Sequence, residues 1–194
     1  MRMNKDNIIT LPHADLRKRS VRVGVITKDI VKLVAAMEAA TIDWEESREH
    51  EVGVALAAVQ VDELYRIVVI REDFNDKKNK KFEALINPEI VKYEGEIEED
   101  FEGCLSVKDV YGKVPRHTKV RVKALNLKGK EIRMKAEGFL ARVLQHEIDH
   151  INGKLFVDHI EDKPEAFYQL GNTGKIEELD DEQRTTIFAQ IFSE

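Results

Sequence analysis

The chain has 194 residues, 42% of them hydrophobic and 35% charged, with a net charge of −6; this suits one folded domain spanning 1–194 rather than a disordered chain. The acid excess argues against a sequence-specific nucleic-acid partner, and the lone cysteine, Cys104, excludes an internal disulfide and points to the cytoplasm. No apolar run nears the ~18 residues of a membrane span, and the opening MRMNKDNIIT lacks the apolar stretch of a secretory signal, so no membrane partner is expected.

In chain order, Thr27 is a good N-cap with Asp29 in the following turn. Ile30, Leu33, Val34, Met37, Thr41 and Trp44 then recur at helical spacing, which predicts a first helix with this stripe in the core. The polar run 45–51 ends that helix or follows it as a loop. A strand-rich middle comes next. YRIVVIR (65–71) is short and β-branched. A second strand, 82–87, is expected to stop at Pro88, with a third over 89–93. Between them, Lys77, Lys78, Lys80 and Lys81 read as a solvated loop tip. KVRVKALNL (119–127) alternates, turning Val120, Val122, Ala124 and Leu127 inward, and Lys128-Gly129 turns into EIRMKA (131–136).

A second helix is predicted over 138–151. Phe139, Leu140, Val143, Leu144, Ile148 and Ile151 spread over more than one face, the pattern of a helix buried at the centre of a fold. Asn152-Gly153 supplies a left-handed stop. Beyond it, Asp162 and Pro164 suit the start of a short helix, and 171–174 (GNTG) reads as a flexible break. Residues 180–192 predict an amphipathic helix with Ile187, Phe188, Ile191 and Phe192 on one side, packed back on the domain rather than on a second copy.

The chemistry concentrates in three segments. His146-Glu147-Ile148-Asp149-His150 places two imidazoles at i and i+4, on one helix face and within reach of one ion. Glu147, beside the first of them, can serve a water on that ion as general base. Burying His, Glu and His in a central helix is costly without pairing or metal, so metal binding is preferred to a satisfied core. A catalytic site of this kind needs a third protein ligand. Glu161, Glu165, Glu177 and Glu178 lie downstream, without an obvious helical relation to the pair. Cys104, in Glu102-Gly103-Cys104-Leu105-Ser106, is the better candidate; a buried small hydrophobe or a Cys–His nucleophile pair are its alternative readings. In GVALAAVQ (53–60), Gln60 offers a neutral donor suited to an oxyanion, although a packed apolar turn explains this segment equally well. Val143, Phe139 and Leu144, with the stem of Arg142, are candidates for an apolar substrate pocket.

Together, GVALAAVQ (53–60), EGCLS (102–106) and QHEIDH (145–150) resemble the peptide deformylase family, whose ordered pattern is G-x-G-x-A-A-x-Q, E-G-C-x-S and Q-H-E-x-D-H. LPHADLRKRS, INPEI, VPR and GKLFVDHI also look like that family, over about residues 8–160, which leaves a helical tail over 161–194. The resemblance implies an α+β fold with small mixed or antiparallel sheets around a central metal-binding helix. It implies one divalent metal ion on Cys104, His146 and His150: Fe2+ natively, with Zn2+ or Ni2+ as substitutes. It implies hydrolysis of the N-formyl group of formyl-Met on newly made polypeptides, with nascent peptides, and the ribosome beside them, as partners. Glu147, Gln60 and the Leu105 amide would be catalytic; Gly53, Ala55, Gly103, Arg142 and Val143 would face the substrate. The chain departs from the pattern at Ala55, usually Gly, at Tyr111, where many bacterial members carry Arg and Arg116 is a candidate replacement, and in a longer stretch before Gly53. A general zinc peptidase and a non-catalytic peptide- or ribosome-binding protein are the competing readings.

Overall fold

A computed structural model describes residues 2–192. The apolar stripe after Thr27 forms helix α1, Lys28–Glu46, and the Thr27 hydroxyl accepts the Ile30 N–H as expected of an N-cap. All six stripe residues are buried. Seven antiparallel strands follow among the described residues: β1 (Ala55–Ala57), β2 (Ile67–Arg71), β3 (Phe82–Cys104), β4 (Val107–Leu125), β5 (Glu131–Glu137), β6 (Phe167–Leu170) and β7 (Ile176–Glu178). They make one connected sheet in the order β1-β2-β3-β4-β6-β7, with β5 on the other part of β4. The expected small sheets are thus regions of a single bent ladder.

Pro88 does not end the second strand. β3 continues through it, and the register with the neighbouring strands shifts between Ile86 and Glu89. A bulge puts the residue lacking an N–H where no ladder bond is required. Asn87 makes the bulge: it adopts φ 53° and is buried, and its side chain donates to the Val23 carbonyl (2.9 Å) and accepts the Val23 N–H (2.8 Å). The first part of β3 therefore pairs with β2 and the rest with β4.

The second helix, α2, spans Gly138–His150. It is buried from Ala141 to Ile148, while Phe139 in its first turn is 47% exposed. Its stop is the predicted one: Gly153 adopts φ 79°, and its N–H donates to the His150 carbonyl at 3.0 Å. A Cβ there would also lie 2.5 Å from the Arg17 carbonyl oxygen, so only glycine fits. Val120, Val122 and Ala124 of β4 face α2 in one apolar cluster, and α1 covers β1, β2 and the start of β3 in another.

The tail is more than helical. After a short 3-10 turn at Pro164–Ala166, the strands β6 and β7 form a hairpin on β4. The segment 171–174 is its turn, closed by the Gly171 N–H on the Lys175 carbonyl (2.8 Å). Helix α3, Asp181–Phe192, then packs back on the domain, with Ile191 buried and Phe188 edge-on to Phe167 at 4.8 Å. Asp180 caps α3 by accepting the Gln183 N–H, and Gln183 accepts the Asp180 N–H in return.

Candidate active site

α2 carries His146 and His150 one turn apart, and the β3–β4 hairpin brings Cys104 to the same point. The Sγ of Cys104 lies 3.2 Å from His150 Nε2, which lies 3.2 Å from His146 Nε2. All three ligand atoms fall within 4.8 Å of one another. Tetrahedral coordination with bonds of ~2.0–2.1 Å to nitrogen and ~2.3 Å to sulfur would separate donors by ~3.3–3.6 Å. The three donors therefore fit one small divalent cation. Neither the downstream glutamates nor a Cys–His pair alone is needed to complete the set.

Behind the ligands stands Glu102, whose role the sequence did not reveal. It is 5% exposed and meets three charged side chains. His146 Nδ1 lies 2.9 Å from Oε2, Arg116 makes two bonds of 2.9 and 3.1 Å, and Arg142 Nη1 donates to Oε1 at 2.9 Å. Burial alone would raise this carboxyl, but hydrogen bonds from His146 and Arg116 hold it well below the usual range. It fixes the His146 ring so that Nε2 faces Cys104 and His150. Burial would likewise lower His146, but the hydrogen bonds and charges of Cys104 and Glu102 raise it well above the ordinary value. Burial and then the charge of His146 push His150 well below it, leaving a neutral ligand. Asp149 on α2 takes the other side of Arg116 at 2.5 Å and lies 2.7 Å from His159 Nε2.

Glu147 is 5% exposed, and its Oε2 has no partner among the described residues. Burial pushes its carboxyl up to about 7, with the His146 charge opposing and Glu102 adding to the rise. It lines a cavity of about 300 Å³ with Cys104, His146 and Gln60. Gln60 stands in the 3-10 turn Ala58–Val61 after β1. Its Oε1 accepts the Ala57 N–H (2.9 Å), which turns Nε2 toward Cys104 Sγ (3.5 Å) and Ser106 Oγ (3.1 Å). Leu105, in the turn between β3 and β4, lines the same cavity, and its N–H has no protein acceptor among the described residues.

Ala55, Gly103, Val143 and Phe139 line that cavity as expected, and Arg142 borders it. The Arg142 guanidinium, however, serves the scaffold: besides Glu102 it donates to the carbonyls of Val114 (2.7 Å), Glu98 (2.8 Å) and Asp100 (3.3 Å). Two expectations need correction. Leu144 is fully buried in the cluster between α2 and the sheet, off the cavity. Gly53 is off it too: its N–H donates to Glu45 (2.9 Å) and its carbonyl accepts from Arg71 (3.1 Å). Its smallness serves α1, because a Cβ there would lie 2.7 Å from Thr41 Cγ2 and 2.8 Å from the Thr41 carbonyl oxygen. Arg116 does not replace an arginine at 111; it belongs to the Glu102 network. Tyr111 instead donates to Glu51 Oε1 (2.9 Å) at the cavity wall, and Glu51 comes from the longer stretch before Gly53.

A thiol and two imidazoles at one point, with a buried carboxyl free beside them and a cleft in front, define a metal-dependent hydrolase. A family model described as polypeptide deformylase matches residues 5–166. A peptide deformylase of Thermomicrobium roseum is 43% identical over 164 residues, covering 83% of this chain and 89% of its own length. One from Halothermothrix orenii is 46% identical over 146 residues, 75% of this chain and 86% of its own. A crystal structure of a peptide deformylase from Legionella pneumophila aligns with TM-score 0.73 at 36% identity, covering 97% of this chain and 93% of that one. The Synechococcus elongatus enzyme in complex with actinonin gives 0.73 at 32% identity, over 84% and 88%. The chain belongs to the polypeptide deformylase family, and its activity is the hydrolytic deformylation of peptides. None of its described helices is long and apolar enough to cross a membrane.

Proposed function

We propose that this chain removes the N-formyl group from formyl-Met at the start of new polypeptides in the cytoplasm, working near the ribosome and releasing formate. The observation that carries the reading is the unpartnered Glu147 carboxyl in one cavity with the Cys104–His146–His150 donor set. Residues 1–194 act as one catalytic unit. We take Fe2+ as the native ion from the family resemblance; one thiolate and two imidazoles also suit Zn2+ or Ni2+ as replacements.

When bound, the cation supplies a concentrated positive charge that acidifies water and polarises the formyl oxygen. Glu147 takes the proton of the attacking water and passes it to the leaving amine. Burial raises this carboxyl in the metal-free protein, and a bound cation would draw it back toward the ionised form that accepts a proton. Gln60 Nε2–H and the Leu105 N–H hold the formyl oxygen as its charge grows; loss of one such donor costs about 2.7–4 kcal/mol of barrier. β1 is the outermost strand of the sheet, so the peptide adds to its free edge beside Ala55, with Gly103 and Leu105 as the opposite wall. Val143 and Phe139 give an apolar wall for the Met side chain.

The test is formate release from a formyl-Met tripeptide by anaerobically prepared, metal-loaded protein. Glu147→Gln should keep its metal and lose about 10²–10⁴-fold in rate. A variant retaining most of its rate would remove Glu147 from this role. Elemental analysis of the same sample identifies the ion.

A further inference from the structure

We propose that the cavity walled by Arg19, Ser20, Arg22, Arg66 and Tyr93 is a phosphate-binding pocket, separate from the catalytic cleft. It has a volume of about 350 Å³, within the range of small-ligand pockets, and shares no lining residue with that cleft. Ile148 and Asn152 form part of its wall. Ile148 lies two residues from both His146 and His150, hence on the far side of α2 from the metal donors. A ligand here leaves the peptide path open.

The charge in this cavity is unbalanced. Arg17, Arg48, Arg71, Arg116, Arg121 and Arg142 each pair with a carboxylate. Arg19, Arg22 and Arg66 pair with none among the described residues, although the chain carries an excess of acid. Arg66 is only 9% exposed, and its partners are all neutral: Asn152 Oδ1 (2.8 Å) and the carbonyls of Pro88 (3.2 Å) and Ile151 (3.4 Å). Those bonds lock the guanidinium in place. Burial, then the charges of Arg19 and Arg22, disfavour its ionised form, so an anion would relieve all three. The planar fork of arginine matches phosphate oxygens.

A second observation points the same way. Ser20, in the same wall, is 5% exposed, and its Oγ has no hydrogen-bond partner among the described residues. Tyr93, 54% exposed, adds an aromatic face on which a base attached to the phosphate can stack. Glu89 in the wall and the C-terminal end of α2 oppose an anion. The Ile151 carbonyl at that end is already taken by the Ser20 N–H (3.0 Å) and Arg66, and three guanidiniums outweigh one carboxylate.

The metal-loaded full chain is titrated with inorganic phosphate at constant ionic strength, read by melting temperature, and with a labelled single-stranded RNA 12-mer, read by anisotropy. Arg19 and Arg22 are exposed, so Arg19→Ala/Arg22→Ala should fold and release formate from formyl-Met peptide at the parent rate. A phosphate-induced rise in melting temperature that the double variant loses assigns the pocket to a free phosphate-sized ligand. RNA binding weakened tenfold or more in the variant, with a shallower salt dependence, assigns it to a phosphodiester chain. Equal responses of parent and variant to both ligands overturn the proposal, whatever the formate assay shows.

Discussion

Glu102→Gln is the substitution that most exposes how the site is held. The carboxylate accepts two hydrogen bonds from Arg116 and one from Arg142, and contacts His146 Nδ1, at 2.9–3.1 Å in a nearly solvent-free position. Glutamine keeps the volume and removes the charge. Arg116 retains Asp149, but Arg142 loses its carboxylate partner and keeps only neutral acceptors. Removing one partner from a buried charge cluster costs about 3–5 kcal/mol. The retained amide oxygen and Asp149 place this variant at the lower end, about 3 kcal/mol. The His146 ring also loses its anionic partner, and loss of such a partner lowers metal affinity about 10–100-fold. Urea unfolding of metal-free protein reads the first effect, and Zn2+ competition against a chromophoric chelator reads the second. A variant with parental stability and parental affinity would refute the claim that Glu102 organises the ligands.

Other outcomes follow from single contacts. In the metal-free protein Glu147 is raised by burial from 4.5 to about 7, so the native state holds a proton that the unfolded chain releases. Stability should fall as pH rises from 4.5 through 7, by roughly 3 kcal/mol relative to Glu147→Gln, which lacks the group; parallel stability–pH curves would contradict this. Gly53→Ala pushes a methyl against the Thr41 backbone and should cost about 1–3 kcal/mol in denaturant unfolding, while metal affinity stays at the parental value. Asp180→Ala removes the α3 cap and should cost about 1 kcal/mol, seen as faster amide exchange over 181–192.

Most of the site was legible because its spacing is local. His146 and His150 share a helix face by periodicity alone, and the buried stripe of α1 follows the same rule. The Lys77–Lys81 tip is exposed as its charge predicts. What the sequence concealed depends on partners distant in the chain. Pro88 reads as a strand stop because nothing local shows that Asn87 will reach Val23 and turn the break into a bulge. Glu102 reads as one more motif residue, since Arg116 of β4 and Arg142 and His146 of α2 gather around it only once the helix packs on the hairpin. The GNTG segment reads as a break because the strands it joins, Phe167–Leu170 and Ile176–Glu178, are too short to show a period. The family resemblance points Gly53 at the substrate, whereas the crowding that demands glycine comes from Thr41.

X-ray absorption of the Zn2+-loaded chain tests most directly whether Cys104, His146 and His150 share one ion. One sulfur at about 2.3 Å and two imidazole nitrogens at about 2.0–2.1 Å should surround the metal, with the sulfur shell gone in Cys104→Ser. A wild-type spectrum with nitrogen and oxygen neighbours only would contradict the account.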